Sequence, residues 1–302
     1  MEINNRIEII EVGPRDGFQS IKEFISTEEK KKIIEGIIES GVKKIQLTSF
    51  VSPKHIPQMQ DAEEIAKYFL NKYPELEFSA LVPNYRGVKR AYEMGLRNIA
   101  YVISVSEGHN KANVNRSVDE SFVELEKILA DFPDINITLD AATTFGCPFD
   151  GKVSYDKVDS YVKRAYDLGI RTINLCDTIG ISNPKQIDEL LTILLEKYKD
   201  IEFQVHIHDT RNMGMLNSYT AIKKGIKHVQ ASLGGMGGCP FAPGASGNLS
   251  TEDFVYMLDK INIETGINFK KLVNIAKECR DNINGVYSGH QINISDKISC
   301  NS

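Results

Sequence analysis

The chain has 302 residues, 41% of them hydrophobic and 25% charged, with a formal net charge of −5. That is enough chain for one large α/β domain; the acidic balance argues against a nucleic-acid partner, and no apolar run approaches the ~18 residues of a membrane span. Five widely spaced cysteines, an odd number, and a start without a secretion signal's basic and apolar regions point to a reduced, cytoplasmic setting.

Short apolar runs alternate with amphipathic segments along the whole chain. Strands are predicted to begin near Arg6, Lys43, Glu77, Arg97, Ile135, Arg171, Ile201 and His228. Helix starts are marked by Ser26 with Glu29 and by Ser117 with Glu120, both of capping-box form, and by Asn183 before Pro184. After that proline, Ile187, Leu190, Leu191, Leu194 and Leu195 repeat at helical spacing and make one apolar stripe. Gly41, Gly95, Gly169 and Gly225 stand where helices should stop, since a left-handed residue ends the turn there. Eight strand–helix units over roughly 250 residues predict a (β/α)8 TIM barrel of the α/β class. The same alternation is compatible with a doubly wound open sheet. We expect a single catalytic domain, with the barrel over about 6–262 and a C-terminal helical extension over about 263–302 that includes a helix at 269–280.

In a barrel the chemistry gathers at the C-terminal ends of the strands. Strand one is followed there by Gly13-Pro14-Arg15-Asp16-Gly17, strand seven ends in His206-Ile207-His208-Asp209, and strand eight leads into a glycine-rich loop and Asn248. Residues i and i+2 of a strand share a face, so His206 and His208 project together. Taken alone, such a pair either ligates a metal or simply hydrogen bonds at a polar strand end. Ring closure makes strands seven, eight and one neighbours, so Asp16, His206, His208 and Asn248 can converge. Two imidazoles, a carboxylate and an amide oxygen suit Mg2+ or Mn2+, with Zn2+ possible. His55, His109, His228 and His290 show no ligand spacing, although His109 follows strand four and can reach the mouth.

With these motifs in order, the chain resembles the 3-hydroxy-3-methylglutaryl-CoA lyase family of barrel metallolyases. The resemblance rests on Glu11 to Gly17, Thr48 to Lys54, Asp177 to Gly180, His206 to Thr210, Gly237 to Ala242, Gly244 to Leu249 and Thr251 to Asp253. It implies retro-Claisen cleavage of a 3-hydroxyacyl-CoA thioester to acetyl-CoA and a keto acid. Asp16, His206, His208 and Asn248 match the family's metal ligands, and Asp16 counts with the catalytic set. Arg15 matches the arginine that stabilises the enolate, and Cys239 the loop cysteine that would protonate it. Asp177 matches a carboxylate that is a candidate base or an orienter near the metal; hydrogen bonding within its own loop is the structural alternative. Gln19, Ser49, Asn113 and Ser117 match positions near the substrate, although each can equally be a cap or turn residue. A homodimer is the expected assembly.

Three positions depart from the family pattern. Gln46 stands where the lyases carry a glutamate, strand five ends in an unfamiliar run containing Asp140, and Asn174 replaces a usual serine. All three are expected to face the barrel mouth and to alter recognition of the acyl group. The alternative function is an acetyl-CoA-dependent condensing enzyme of the isopropylmalate or citramalate synthase type. Such synthases normally carry a long C-terminal regulatory region, and from the roughly fifty residues after the strand-eight motif we expect none here. A barrel that binds metal without catalysis is a third possibility.

Overall fold

Each of the eight strands is too short to stand alone, and each finds both its partners by curling into a ring. In the computed structural model, which describes residues 5–238 and 247–295, the strands are β1 (Glu8–Glu11), β2 (Lys44–Ser49), β3 (Glu77–Val82), β4 (Asn98–Ser104), β5 (Asn136–Ala142), β6 (Thr172–Asp177), β7 (Glu202–Ile207) and β8 (His228–Ala231). They start within two residues of the predicted positions. All pair in parallel, and β1 closes on β8 from Glu8 opposite His228 to Glu11 opposite Ala231. Closure excludes the open sheet.

Among the described residues ten α-helices accompany the strands: α1 (Thr27–Glu39), α2 (Ala62–Lys72), α3 (Tyr85–Glu93), α4 (Glu107–Val114), α5 (Val118–Asp131), α6 (Tyr155–Asp167), α7 (Pro184–Lys197), α8 (Gly214–Lys223), α9 (Thr251–Lys260) and α10 (Phe269–Asn282). The α7 stripe packs as its spacing predicts, with Ile187, Leu190, Leu191 and Leu194 all fully buried. Each such side chain stabilises the fold by about 1.5–3 kcal/mol. Gly41, Gly95, Gly169 and Gly225 all adopt positive φ, as expected of helix stops.

The Ser117–Glu120 capping box forms in full, and so does a box joining Asn183 to Gln186. The expected box at Ser26 is half made. Ser26 accepts from the Glu29 N–H, but the return bond from the Glu29 carboxylate to the Ser26 N–H is not made. Helix α10 packs on α1 and α9 across the seam between the first and last barrel helices, and its core residues Leu272, Ile275 and Cys279 join the main apolar cluster. Among the described residues no helix is long and apolar enough to cross a membrane.

Branched apolar residues usually fill such a barrel. Here the N-terminal half of the interior is polar, around a cavity of ≈340 Å3 that Gln46, Ser79, Asn98, Thr138 and Gln204 help to line. His228 lies at that end of the barrel, 2.9 Å from Glu8 and 3.2 Å from Glu202, and plays a structural part.

Candidate metal and substrate site

Immediately after β1 the backbone makes a five-residue π-type turn, Gly13–Gly17, every residue of which is buried. Such turns are frequent at functional sites. The sequence motif gave no hint of this geometry. Glu11 holds the turn: its Oε1 accepts from the N–H of Gly13 at 2.7 Å and of Leu233 at 2.8 Å, and its Oε2 from the Thr251 hydroxyl at 2.7 Å. A Cβ at residue 13 would sit 2.6 Å from that Oε1, so a side chain there would displace the Glu11 carboxylate from its donors. Burial pushes the Glu11 carboxyl up to about 7, against the lowering effect of these three donors. It is an organising residue that sequence reasoning quoted only as part of a motif.

Asp16 faces the end of β7. His206 Nε2 and His208 Nε2 are 3.0 Å apart and lie 3.9 and 4.0 Å from Asp16 Oδ2. One ligand atom from each of the three fits within a 4.8 Å span, and all three residues are buried. Asn248 joins them because its segment forms an antiparallel bridge with His208. Its amide donates to Asp16 Oδ2 at 2.7 Å and to the Met236 carbonyl at 2.9 Å, while its Oδ1 is buried without a partner among the described residues.

This donor set fits a divalent ion. Two ligands at right angles about a metal with bonds of ~2.1 Å are about 3 Å apart, which is the spacing of the two imidazoles. Burial lowers both histidines, His206 to about 3, so both are neutral at pH 7 and have lone pairs to offer. Burial alone would raise the Asp16 carboxyl, but Arg15, both histidines and Asn248 together hold it below its ordinary value. Gly237 completes the packing at φ +121°, where a side chain would collide with the Asn248 amide.

Arg15 is buried beside this cluster, with its Nε donating to Gln46 Oε1 and its Nη1 paired to Asp16 Oδ1. Gln19 also donates to Asp16 Oδ1, at 3.0 Å. A cleft of ≈680 Å3 opens above. Arg15, Asp16, Gln19, Asn113, Asp140, Asn174, His206 and His208 line it, and His55, His109 and Arg116 extend its wall. His109 thus reaches the mouth; burial lowers it to about 4, and its Nδ1 lies 2.7 Å from the Ser104 hydroxyl.

Other expected site residues fall elsewhere. Asp177 does not line the cleft, and its two oxygens accept from the Ile181 N–H (2.9 Å), the Ser182 N–H (2.9 Å) and the Ser182 hydroxyl (2.6 Å). These bonds build the turn after β6, and the Asp177 charge also acts on His208 at the end of β7. Ser117 caps α5 through the Glu120 N–H, and the Ser49 hydroxyl donates to the Leu81 carbonyl at 3.1 Å; both lie off the cleft. Gln46 accepts from Arg15 and lines the lower cavity, not the cleft where the departure from the family pattern was expected to face. Cys239 lies outside the described residues.

A family model described as HMGL-like matches residues 6–278. The hydroxymethylglutaryl-CoA lyase of Bacillus subtilis is 39% identical over 279 residues, spanning 92% of this chain and 93% of the relative. The (R)-citramalyl-CoA lyase of Chloroflexus aurantiacus is 36% identical over 278 residues, spanning 88% of each. A solved HMG-CoA lyase from Acinetobacter baumannii, in complex with coenzyme A and 3-methylmalate, superposes with a TM-score of 0.92 at 33% identity, covering 100% of this chain and 99% of that one. With its closed barrel and its Asp/His cluster at the rim, the chain belongs to the HMGL-like family.

Proposed function

We propose that the protein is a divalent-metal-dependent carbon–carbon lyase that cleaves a 3-hydroxy-3-methylglutaryl-CoA-like thioester to acetyl-CoA and a keto acid, acetoacetate for the parent compound. The observation that carries this reading is the placement of Arg15 and Asp16, consecutive on one buried turn, against the paired imidazoles of His206 and His208. The names of the relatives and the coenzyme A in the Acinetobacter complex support a CoA-thioester substrate.

Asp16, His206, His208 and Asn248 would hold Mg2+ or Mn2+. When bound, the ion supplies Lewis acidity toward the substrate's oxygens. In the cleavage the 3-hydroxyl loses its proton and becomes the carbonyl of the keto acid. The C2–C3 bond breaks, its electron pair passes into the thioester enolate, and a proton returns to C2. Arg15 faces the cleft with a guanidinium locked by Gln46 and Asp16. A preorganised donor of this kind stabilises charge that appears on the enolate oxygen only as the bond breaks. Cys239, on the family resemblance, returns the proton. Asn113 and Gln19 contact substrate from the cleft wall.

Barrel and C-terminal extension form one catalytic unit in this reading, since Leu272, Cys279 and Ile292 share the barrel's apolar cluster. Free, buried Cys147, Cys176 and Cys279 fit a reducing cytoplasm. A homodimer is the assembly we expect, to be read by light scattering. The deciding experiment incubates the protein with hydroxymethylglutaryl-CoA and Mg2+ or Mn2+ and follows acetyl-CoA. Release that a chelator abolishes supports the lyase. Consumption of acetyl-CoA on adding keto acids, without any cleavage, would replace it with a condensing enzyme.

A further inference from the structure

One buried acid in the cleft has no part in the chemistry above. Asp140 is only 4% exposed, yet it lines the same cleft as Arg15, Asp16 and both histidines. Among the described residues its hydrogen-bond donor is Asn174, whose Nδ2 donates to Asp140 Oδ1 at 2.9 Å. That leaves the second carboxylate oxygen for a ligand. Asn174, fully buried on the neighbouring strand, keeps its own Oδ1 without a partner among the described residues. Asp140 therefore offers an unmatched acceptor to the cleft, with the buried, unpartnered Asn174 Oδ1 beside it.

Resting on the lyase reading, we propose that Asp140 and Asn174 recognise a hydroxyl on the acyl half of the substrate. The substrate class is then a branched 3-hydroxyacyl-CoA carrying one more hydroxyl than hydroxymethylglutaryl-CoA, so the released keto acid is itself hydroxylated. A methyl group placed against these acceptors would strip water from a carboxylate and return no hydrogen bond. An extra carboxylate there would meet like charge from Asp140, while Arg15, the cation that lines the same cleft and acts on Asp140, is already paired to Asp16. A hydroxyl gives its single hydrogen to the Asp140 carboxylate and brings no charge, so it avoids both costs at that oxygen. Sites built to bond a hydroxyl reject the analogue lacking it far more strongly than apolar pockets discriminate by size.

The test measures kcat/KM for hydroxymethylglutaryl-CoA and for two analogues, one hydroxylated on the branch methyl and one on C4. It uses the wild type, Asp140→Leu and the isosteric Asp140→Asn. We expect the wild type to favour one hydroxylated analogue at least ~100-fold. Asp140→Leu should reverse that preference, and Asp140→Asn should shrink it. Calorimetry of the wild type with the free keto acids should show the same order of binding without turnover, and this measurement together with the isosteric Asp140→Asn keeps the test readable if Asp140→Leu folds poorly. Wild-type turnover of hydroxymethylglutaryl-CoA equal to or above that of both analogues overturns the proposal and leaves the lyase intact. An equal rate loss on all substrates in both variants overturns it too, assigning Asp140 to proton transfer. Cleavage of none of the three by the wild type overturns both the proposal and the lyase reading.

Discussion

Replacing Glu11 with glutamine isolates the cost of keeping an ionised carboxylate beneath the catalytic turn. In the fold Glu11 is fully buried and its pKa stands at about 7, against 4.5 for the ordinary side chain. The folded state therefore binds the proton more tightly than the unfolded one. Its stabilising contribution is complete below pH 4.5 and is lost as pH rises toward and through 7. At ~1.4 kcal/mol per pKa unit, the wild type should lose about 2–3 kcal/mol between pH 5 and pH 8 through this group alone. Glutamine preserves the shape and an oxygen for the Gly13 and Leu233 amides, and its NH2 can donate to Thr251 where the carboxylate accepted. Denaturation of both proteins in chelator at pH 5 and pH 8 reads the difference of differences, which cancels every other titrating group. Glu11→Gln should gain on the wild type by that amount at the higher pH, about 4 °C in Tm for a chain of this size. An unchanged gap between the two pH values, or a gap of opposite sign, would refute the reasoning.

Asp16→Asn should abolish detectable Mn2+ binding by calorimetry and reduce turnover to background, with an unchanged circular dichroism spectrum; activity retained in metal-free buffer would falsify the metal assignment. Arg15→Lys keeps the charge but cannot serve Gln46 and Asp16 with one fork, so kcat should fall by at least ~100-fold while metal affinity holds. Ser117→Ala removes a helix cap and should cost about 1 kcal/mol of stability with kcat/KM unmoved; a raised KM would return this residue to the substrate site. Cys239→Ala should slow turnover strongly with little loss of metal, and wild-type kinetics would restrict that thiol to packing.

Much of this protein is determined locally and could be read from the chain. Strand starts, the α7 stripe and the glycine stops follow from periodicities of two and 3.6 residues and from the freedom of glycine at positive φ. The pairing of His206 with His208 follows from strand alternation, and their meeting with Asp16 from ring closure. What no local pattern could decide was how each polar side chain would be spent. Asp177 and Ser117 look like site residues in a motif, but neighbouring backbone amides claim their oxygens. Glu11 looks like one more strand residue, yet it ties three parts of the chain together under the π turn. The Asp140–Asn174 pair exists only because β5 and β6 set those two residues side by side. Periodicity is carried by consecutive residues, whereas hydrogen-bond partners and burial come from segments far apart in the chain, so they are settled only when the barrel closes.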